Sequence, residues 1–207
     1  MNPPYEFCAH KFLDLWRTEE PLHKAMSGTP PARQVRDALK HFRVARTFKG
    51  LSDEVAEKIS QDLVEVSDSE GIYSDKVTSL ARRFKKNFGQ LNLSAASKLL
   101  WLRKRRPYLI YDARAVTALG RLENKFNKAD YSSYCDVWKR EYEKRAGEIS
   151  AATHGLVALP KKYTAAFALT DDQLSKLVHS RWFIERVFDI YLWEMGSANA
   201  SSPLATE

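Results

Sequence analysis

Apolar residues in this chain recur three and four positions apart in stretch after stretch, and nowhere do they alternate long enough to suggest a ladder of strands. From Gln34 to Phe48, Val35, Leu39, Phe42, Val44 and Phe48 keep approximate helical spacing with arginines and lysines between them, and Lys49-Gly50 closes the run. Ser52, followed by Asp53 and Glu54, has the make-up of a helix start, and Val55, Ile59 and Leu63 continue the stripe. After the polar loop Ser67–Gly71, Ser74-Asp75 is expected to cap a helix bearing Val77, Leu80, Ala81, Phe84 and Phe88. Asp130–Arg145 carries Tyr131, Tyr134, Val137, Trp138 and Tyr142 on adjoining turns. Those aromatics serve either core packing or base stacking. Thr170 to Gln173 has the spacing of a capping box, and Leu174, Leu177, Val178, Phe183, Val187, Ile190 and Tyr191 follow it at helical spacing. The pattern predicts an all-α fold of about eight helices.

Proline and polar residues dominate 1–32, which reads as an irregular segment with one short amphipathic piece around Phe7–Trp16, and Ser27–Arg33 marks a break. Residues 33–196 then form a single domain or two interlocked lobes, irregular over 147–169 around Pro160-Lys161-Lys162. A Ser/Ala tail, 197–207, is expected to be disordered. With 207 residues, 44% of them hydrophobic, the chain is long enough to bury such a core. No apolar run approaches the roughly 18–20 residues of a membrane helix, and the N-terminus lacks the pattern of a signal peptide, so a cytoplasmic protein is expected. Cys8 and Cys135 are far apart and read as free thiols. The five histidines are scattered, which argues against a zinc site, and no cofactor or metal is expected. There is no Gly-rich phosphate loop, no GxSxG elbow and no HExxH pair. The net charge of +7 points to an anionic partner, nucleic acid first.

Function concentrates in Asn92–Leu119. A helix from Ser94 to about Arg103 places Ala95, Leu99 and Leu102 on a buried stripe, with Ser94, Lys98, Trp101 and Arg105 along its flank. A lysine partly desolvated at that edge, with cations nearby, has its pKa lowered and becomes a nucleophile near neutral pH. Pro107 forbids continuation of the helix and pushes Arg106 extended. The apolar run Tyr108–Tyr111 must be buried, and it delivers Asp112 to the start of the next helix, where the carboxylate caps backbone N–H groups. Flanking the stretch are Arg82, Arg83, Lys85, Lys86, Arg103, Lys104, Arg105 and Arg106. Such runs either grip phosphates or form a solvated helix face.

The order of apolar helix, turn, proline, apolar run and aspartate-initiated helix resembles the catalytic segment of helix-hairpin-helix DNA glycosylases. More narrowly, Ala95–Leu102 followed by Arg106–Val116 is similar to small bacterial 8-oxoguanine-DNA-glycosylase-like proteins, some found in anti-phage (CBASS) operons, as is Arg181–Gly196. The resemblance covers roughly 75–195.

It implies a helix-hairpin-helix glycosylase-like bundle and cleavage of the N-glycosidic bond of a damaged or modified base, with a possible Schiff-base lyase step. In that scheme Asp112 is the catalytic carboxylate. Ser94 falls where bifunctional relatives keep their lysine, and Lys98, one helical turn on, is the candidate nucleophile or a base-pocket group. The chain departs from the family just before Ser94, where Gly89-Gln90-Leu91-Asn92-Leu93 stands in place of the hairpin glycines at which backbone N–H groups approach a DNA phosphate. Base flipping also calls for an aromatic pocket, for which Trp101, Tyr108, Tyr111 and Trp138 are candidates beside Ser94. Two other readings stay open: a non-catalytic nucleic-acid-binding module, and a protein-interaction subunit of a defence complex.

Overall fold

The computed structural model describes residues 4–122, 125–159 and 168–197. Among them are ten α-helices and two short 3-10 turns, with no strand, so the all-α expectation is met with more helices than the eight counted from pattern. None of the described helices is long and apolar enough to cross a membrane. The contacts divide the chain into two compact units. A central unit comprises residues 16–111 with 128–135; a terminal unit comprises the described parts of 1–15, 112–127 and 136–207. Two helices, α1 (Tyr5–Met26) and α7 (Tyr131–Glu143), have residues in both.

The first correction is α1. The segment expected to be irregular, 1–32, instead holds one helix of 22 residues, Tyr5–Met26, with Pro21 inside it. A mid-helix proline removes one hydrogen bond and strains the turn before it. The apolar stripe outweighs that cost, since Cys8, Ala9, Phe12 and Leu13, then Leu22 and Met26, are all buried.

In the central unit, α2 (Ala32–His41), α3 (Asp53–Asp68) and α4 (Tyr73–Phe88) surround α5 (Leu93–Lys104), which contacts all three. Every residue of α5 from Ala95 to Leu102 is buried, as expected of a helix enclosed on all sides. The helix predicted to run on to Phe48 ends instead at His41. There Arg43 N–H donates to Lys40 O (2.9 Å) and Val44 N–H to Leu39 O (2.9 Å), with Arg43 in the left-handed region at φ 55°. Val44 and Phe48 are still buried, carried by a 3-10 turn at Ala45–Thr47. Ser52 caps α3 as expected, accepting from Val55 N–H at 3.3 Å. By contrast α4 starts one residue ahead of the predicted Ser74 cap, with Ile72 at its N-cap.

The extended run 108–111 shows how an all-helical fold accommodates a β-like segment. Four of its backbone polar groups are bonded by side chains rather than by a neighbouring strand. The Tyr131 hydroxyl accepts from Leu109 N–H (2.9 Å) and donates to Leu109 O (2.7 Å). Tyr134 donates to Ile110 O (2.8 Å), and Tyr111 N–H donates to Ser97 Oγ (3.0 Å). Burial pushes the Tyr131 phenol well above its ordinary pKa, so the donor proton stays in place.

The terminal unit holds α6 (Ala113–Arg121), α8 (Ala146–His154), a 3-10 turn Gly155–Ala158, α9 (Asp171–Val178) and α10 (Arg181–Ser197). Helix α8 corrects the irregular reading of 147–169: Ile149, Ala152 and Thr153 bury one face of a segment too small-sided to show a stripe. Pro160–Lys162 and the tail from residue 198 lie outside the described residues. The Thr170–Gln173 capping box is present in both directions, at 3.2 and 2.9 Å. Helices α6 and α10 make the most extensive contact of the unit. At its tightest point a Cβ on Gly196 would lie 2.1 Å from Arg114 O. Gly196→Ala is therefore expected to force the last turn of α10 off α6 and to cost about 1–3 kcal/mol, read as a lower urea midpoint. A midpoint equal to wild type would show that this close approach does not hold the two helices together.

Candidate functional site

The predicted site begins at the turn joining α4 to α5. Gly89 ends α4 in the left-handed region (φ 81°), the conformation a helix C-terminus commonly needs, and Asn92 begins α5. The Asn92 carboxamide accepts from Ala95 N–H (2.8 Å) and donates to Thr47 Oγ1 (2.6 Å), tying the start of α5 to the 3-10 turn after α2. Ser94 is half-buried on the first turn. One turn on, Lys98 Nζ donates to Ser94 Oγ (2.9 Å) and lies 5.8 Å from the Phe42 ring centroid. Lys98 was expected at the edge of an apolar face; it is only 5% exposed. Enclosure of α5 by α2, α3 and α4 leaves that helix no solvent edge at this level.

Asp112 caps α6 as expected, its carboxylate accepting from Arg114 N–H (3.0 Å) at the N-cap. It is half-exposed.

Three of the five pocket candidates are core residues. Trp101 and Tyr108 are each 3% exposed in the central unit, the Tyr108 ring edge-on to Tyr73. Trp138, 1% exposed in the terminal unit, packs against Tyr142 and Phe188 and donates from Nε1 to Asp189 Oδ1 (2.8 Å). None offers a free ring face to a base. Ser94 and Tyr111 are half-buried, Tyr111 donating its hydroxyl proton to Lys128 O (2.6 Å).

The eight basic candidates divide. Arg83 pairs with Glu65 and with the buried Asp62 (3.2 Å), which also accepts from Asn87 and Lys58. Arg103 bonds to Met26 O, Gly28 O, Ser67 Oγ and Asp68, and Arg105 pairs with Glu20. These three guanidiniums hold the central unit together. Arg82, Lys85, Lys86, Lys104 and Arg106 are exposed. Sequence reasoning overlooked four further exposed cations, Lys40, Arg43, Arg46 and Lys49, although their three-residue spacing was there to be read.

Two histidines give the fold a pH dependence of known sign. Burial holds the His23 imidazole below its ordinary value of about 6.5, and the Arg105 and Lys24 charges act in the same direction. The Leu102 carbonyl it bonds, with Glu20, opposes them. His154 is lowered too, first by desolvation and then by His179, whose ring stacks on it at 3.9 Å. A histidine depressed in the folded state takes up its proton more readily when unfolded, so stability is full above the unfolded pKa and falls as pH drops below it. The urea midpoint is expected to decline from pH 7.5 toward pH 5.5, less steeply in His23→Gln. Equal slopes for the two proteins would remove His23 from the account.

Among the described residues no group of three or more His, Cys, Asp or Glu side chains is placed to hold a metal ion. Cys8 and Cys135 are buried and form no disulfide, and burial pushes the Cys8 thiol up to about 12. Comparison with protein-family models, curated proteins and solved structures finds no match to this chain.

Proposed function

We propose that this chain binds nucleic acid, DNA first, on a scaffold of the helix-hairpin-helix glycosylase kind. One observation carries the reading: Arg82, Lys85, Lys86 and Lys104, all on the helices that form the α4–α5 hairpin, are exposed cations that bond no described residue. Their neighbours Arg83, Arg103 and Arg105 are tied to acids and carbonyls. Phosphate contacts from such residues position a protein on a duplex without reading its sequence. The resemblance of 75–195 to glycosylase-like proteins supports the same reading. Fluorescence anisotropy with labelled DNA and RNA across a salt series tests it. Binding that weakens steeply as salt rises is the expected result; failure of both polymers to bind at low salt overturns it and leaves a protein partner in a defence complex as the alternative.

A second reading, base excision, is favoured by the Asp112 cap and by the buried Lys98 Nζ beside Ser94. In it Lys98, as the neutral amine, bonds to the sugar C1′ as the bond to the base breaks; the base leaves with the electron pair and takes up the proton that the amine nitrogen releases, and Asp112 stabilises the developing positive charge. It ranks second because Lys98 is held inside the helix packing and three pocket candidates are core residues. Borohydride trapping on abasic or 8-oxoguanine DNA, with Lys98→Ala and Asp112→Asn, decides it: an adduct lost in both variants would establish the chemistry. No adduct from the wild type would dismiss the Schiff-base route.

A further inference from the structure

Residues 40–49 hold a row of cations that the fold does not use. Lys40 is on the last turn of α2, Arg43 is in the turn that ends it, Arg46 is in the 3-10 turn, and Lys49 follows. All four are exposed, and none forms an ion pair or a side-chain hydrogen bond with a described residue. Earlier on the same helix the pattern differs: Arg33 pairs with Asp37 and Arg36 with Asp53.

The segment is nonetheless fixed. Val44 and Phe48 are buried, and the Phe48 ring meets Phe84 at 5.2 Å and Phe88 at 5.5 Å, both edge-on. Thr47 accepts from Asn92 at the start of α5. These contacts seat 44–49 against the last turn of α4, the turn that carries Lys85 and Lys86. The next acids along the chain, Asp53 and Glu54, lie on the first turn of α3, with Asp53 already paired to Arg36.

A second observation concerns Arg43 alone. Its φ of 55° is a left-handed conformation that glycine adopts freely and an L side chain adopts at a cost. The two hydrogen bonds that end α2, Arg43 N–H to Lys40 O and Val44 N–H to Leu39 O, hold Arg43 in that conformation and leave its side chain exposed.

We infer that Lys40, Arg43, Arg46 and Lys49, together with Lys85 and Lys86, form the face that binds the phosphate backbone of nucleic acid, without regard to sequence. The inference rests on the nucleic-acid reading above and adds to it a specific surface, one that excludes Arg83, Arg103 and Arg105. Six cations on anchored elements, with no acid partner among the described residues, suit a polymer of phosphates better than a single small anion.

The test is anisotropy of a fluorescein-labelled DNA duplex against the full chain and three variants, each checked for its helical circular dichroism. The first variant replaces Lys40, Arg43, Arg46 and Lys49 with glutamine. A charge-matched control replaces Lys125, Lys128, Lys139 and Lys176 with glutamine. The third is Arg43→Gly. Losing four phosphate contacts should flatten the slope of log affinity against log salt by about 3–4 and weaken binding roughly 100-fold, while the control changes far less. Arg43→Gly should raise the unfolding midpoint and weaken binding together, an outcome that misfolding does not produce. If wild type and the 40–49 variant bind with the same slope, the face is wrong while nucleic-acid binding stands. If the control loses as much as the 40–49 variant, only net charge matters and the inference falls. If wild type does not bind DNA but captures polyglutamate through these four residues, both the inference and the reading beneath it are overturned in favour of an acidic protein partner.

Discussion

Trp138→Ala is expected to lower the stability of the protein by about 3–5 kcal/mol, through a cavity in the terminal unit rather than through a damaged base pocket. Trp138 is among the largest fully buried side chains of the chain. Its ring stacks on Tyr142 at 5.2 Å and meets Phe188 edge-on at 5.0 Å, so truncation opens a void lined by aromatic faces that cannot close around alanine. The indole N–H is also a donor to Asp189, itself only 6% exposed, and its loss removes one of that carboxylate's hydrogen bonds. Trp138→Phe separates the two effects. It keeps much of the ring packing and removes the donor, for an expected cost of about 1–3 kcal/mol. Urea denaturation of both variants measures this directly. Should Trp138→Ala unfold within about 0.5 kcal/mol of wild type and lose only binding to damaged DNA, the residue would belong to a base pocket after all.

What the sequence made legible was local chemistry. The Ser52 cap, the Thr170–Gln173 box and the Asp112 cap each involve groups two to three residues apart, and all three are found. The run Tyr108–Tyr111 was legible in part, because an apolar stretch after a proline has nowhere else to go: Tyr108, Leu109 and Ile110 are buried, while Tyr111, at the turn into α6, is half-buried. The fate of a cation was not, because it is decided by a partner far along the chain. Arg83 meets Asp62 across 21 residues, and Arg105 meets Glu20 across 85. Nothing in the letters around 82–86 or 103–106 distinguishes a guanidinium that braces helices from one that faces water. The same reason hid the role of Tyr131 and Tyr134: their hydroxyls complete the backbone of a segment 22 and 24 residues earlier, which reads in sequence only as a choice between core and base stacking. Helix α1 was obscured differently, by Pro21, whose local penalty conceals an apolar stripe on both sides of it.

Arg103→Ala should show how far apart two neighbouring cations are in purpose. The Arg103 side chain is 9% exposed, while Asp68, the acid it meets at 3.2 Å, is 58% exposed. The ion pair itself is therefore weakened by solvent, and most of the effect comes from the neutral acceptors. Nε donates to Ser67 Oγ at 2.9 Å, and Nη1 donates to Met26 O at 3.3 Å and to Gly28 O. One guanidinium fork thus joins the end of α1, the loop after it and the end of α3. Removing it leaves those acceptors without that donor and opens the space it filled, for an expected loss of about 2–4 kcal/mol. Arg103→Lys retains the charge but presents a single point donor, which cannot span the same partners, and should lie between alanine and wild type. Lys104→Ala, one residue on and exposed, is expected to stay within about 0.5 kcal/mol of wild type while weakening DNA binding and reducing its salt dependence. The comparison is made on urea midpoints and on the affinity of the folded fraction for duplex DNA. Wild-type stability in Arg103→Ala, joined to lost DNA affinity, would move that arginine from the fold to the binding surface and undo the division drawn among the eight basic residues.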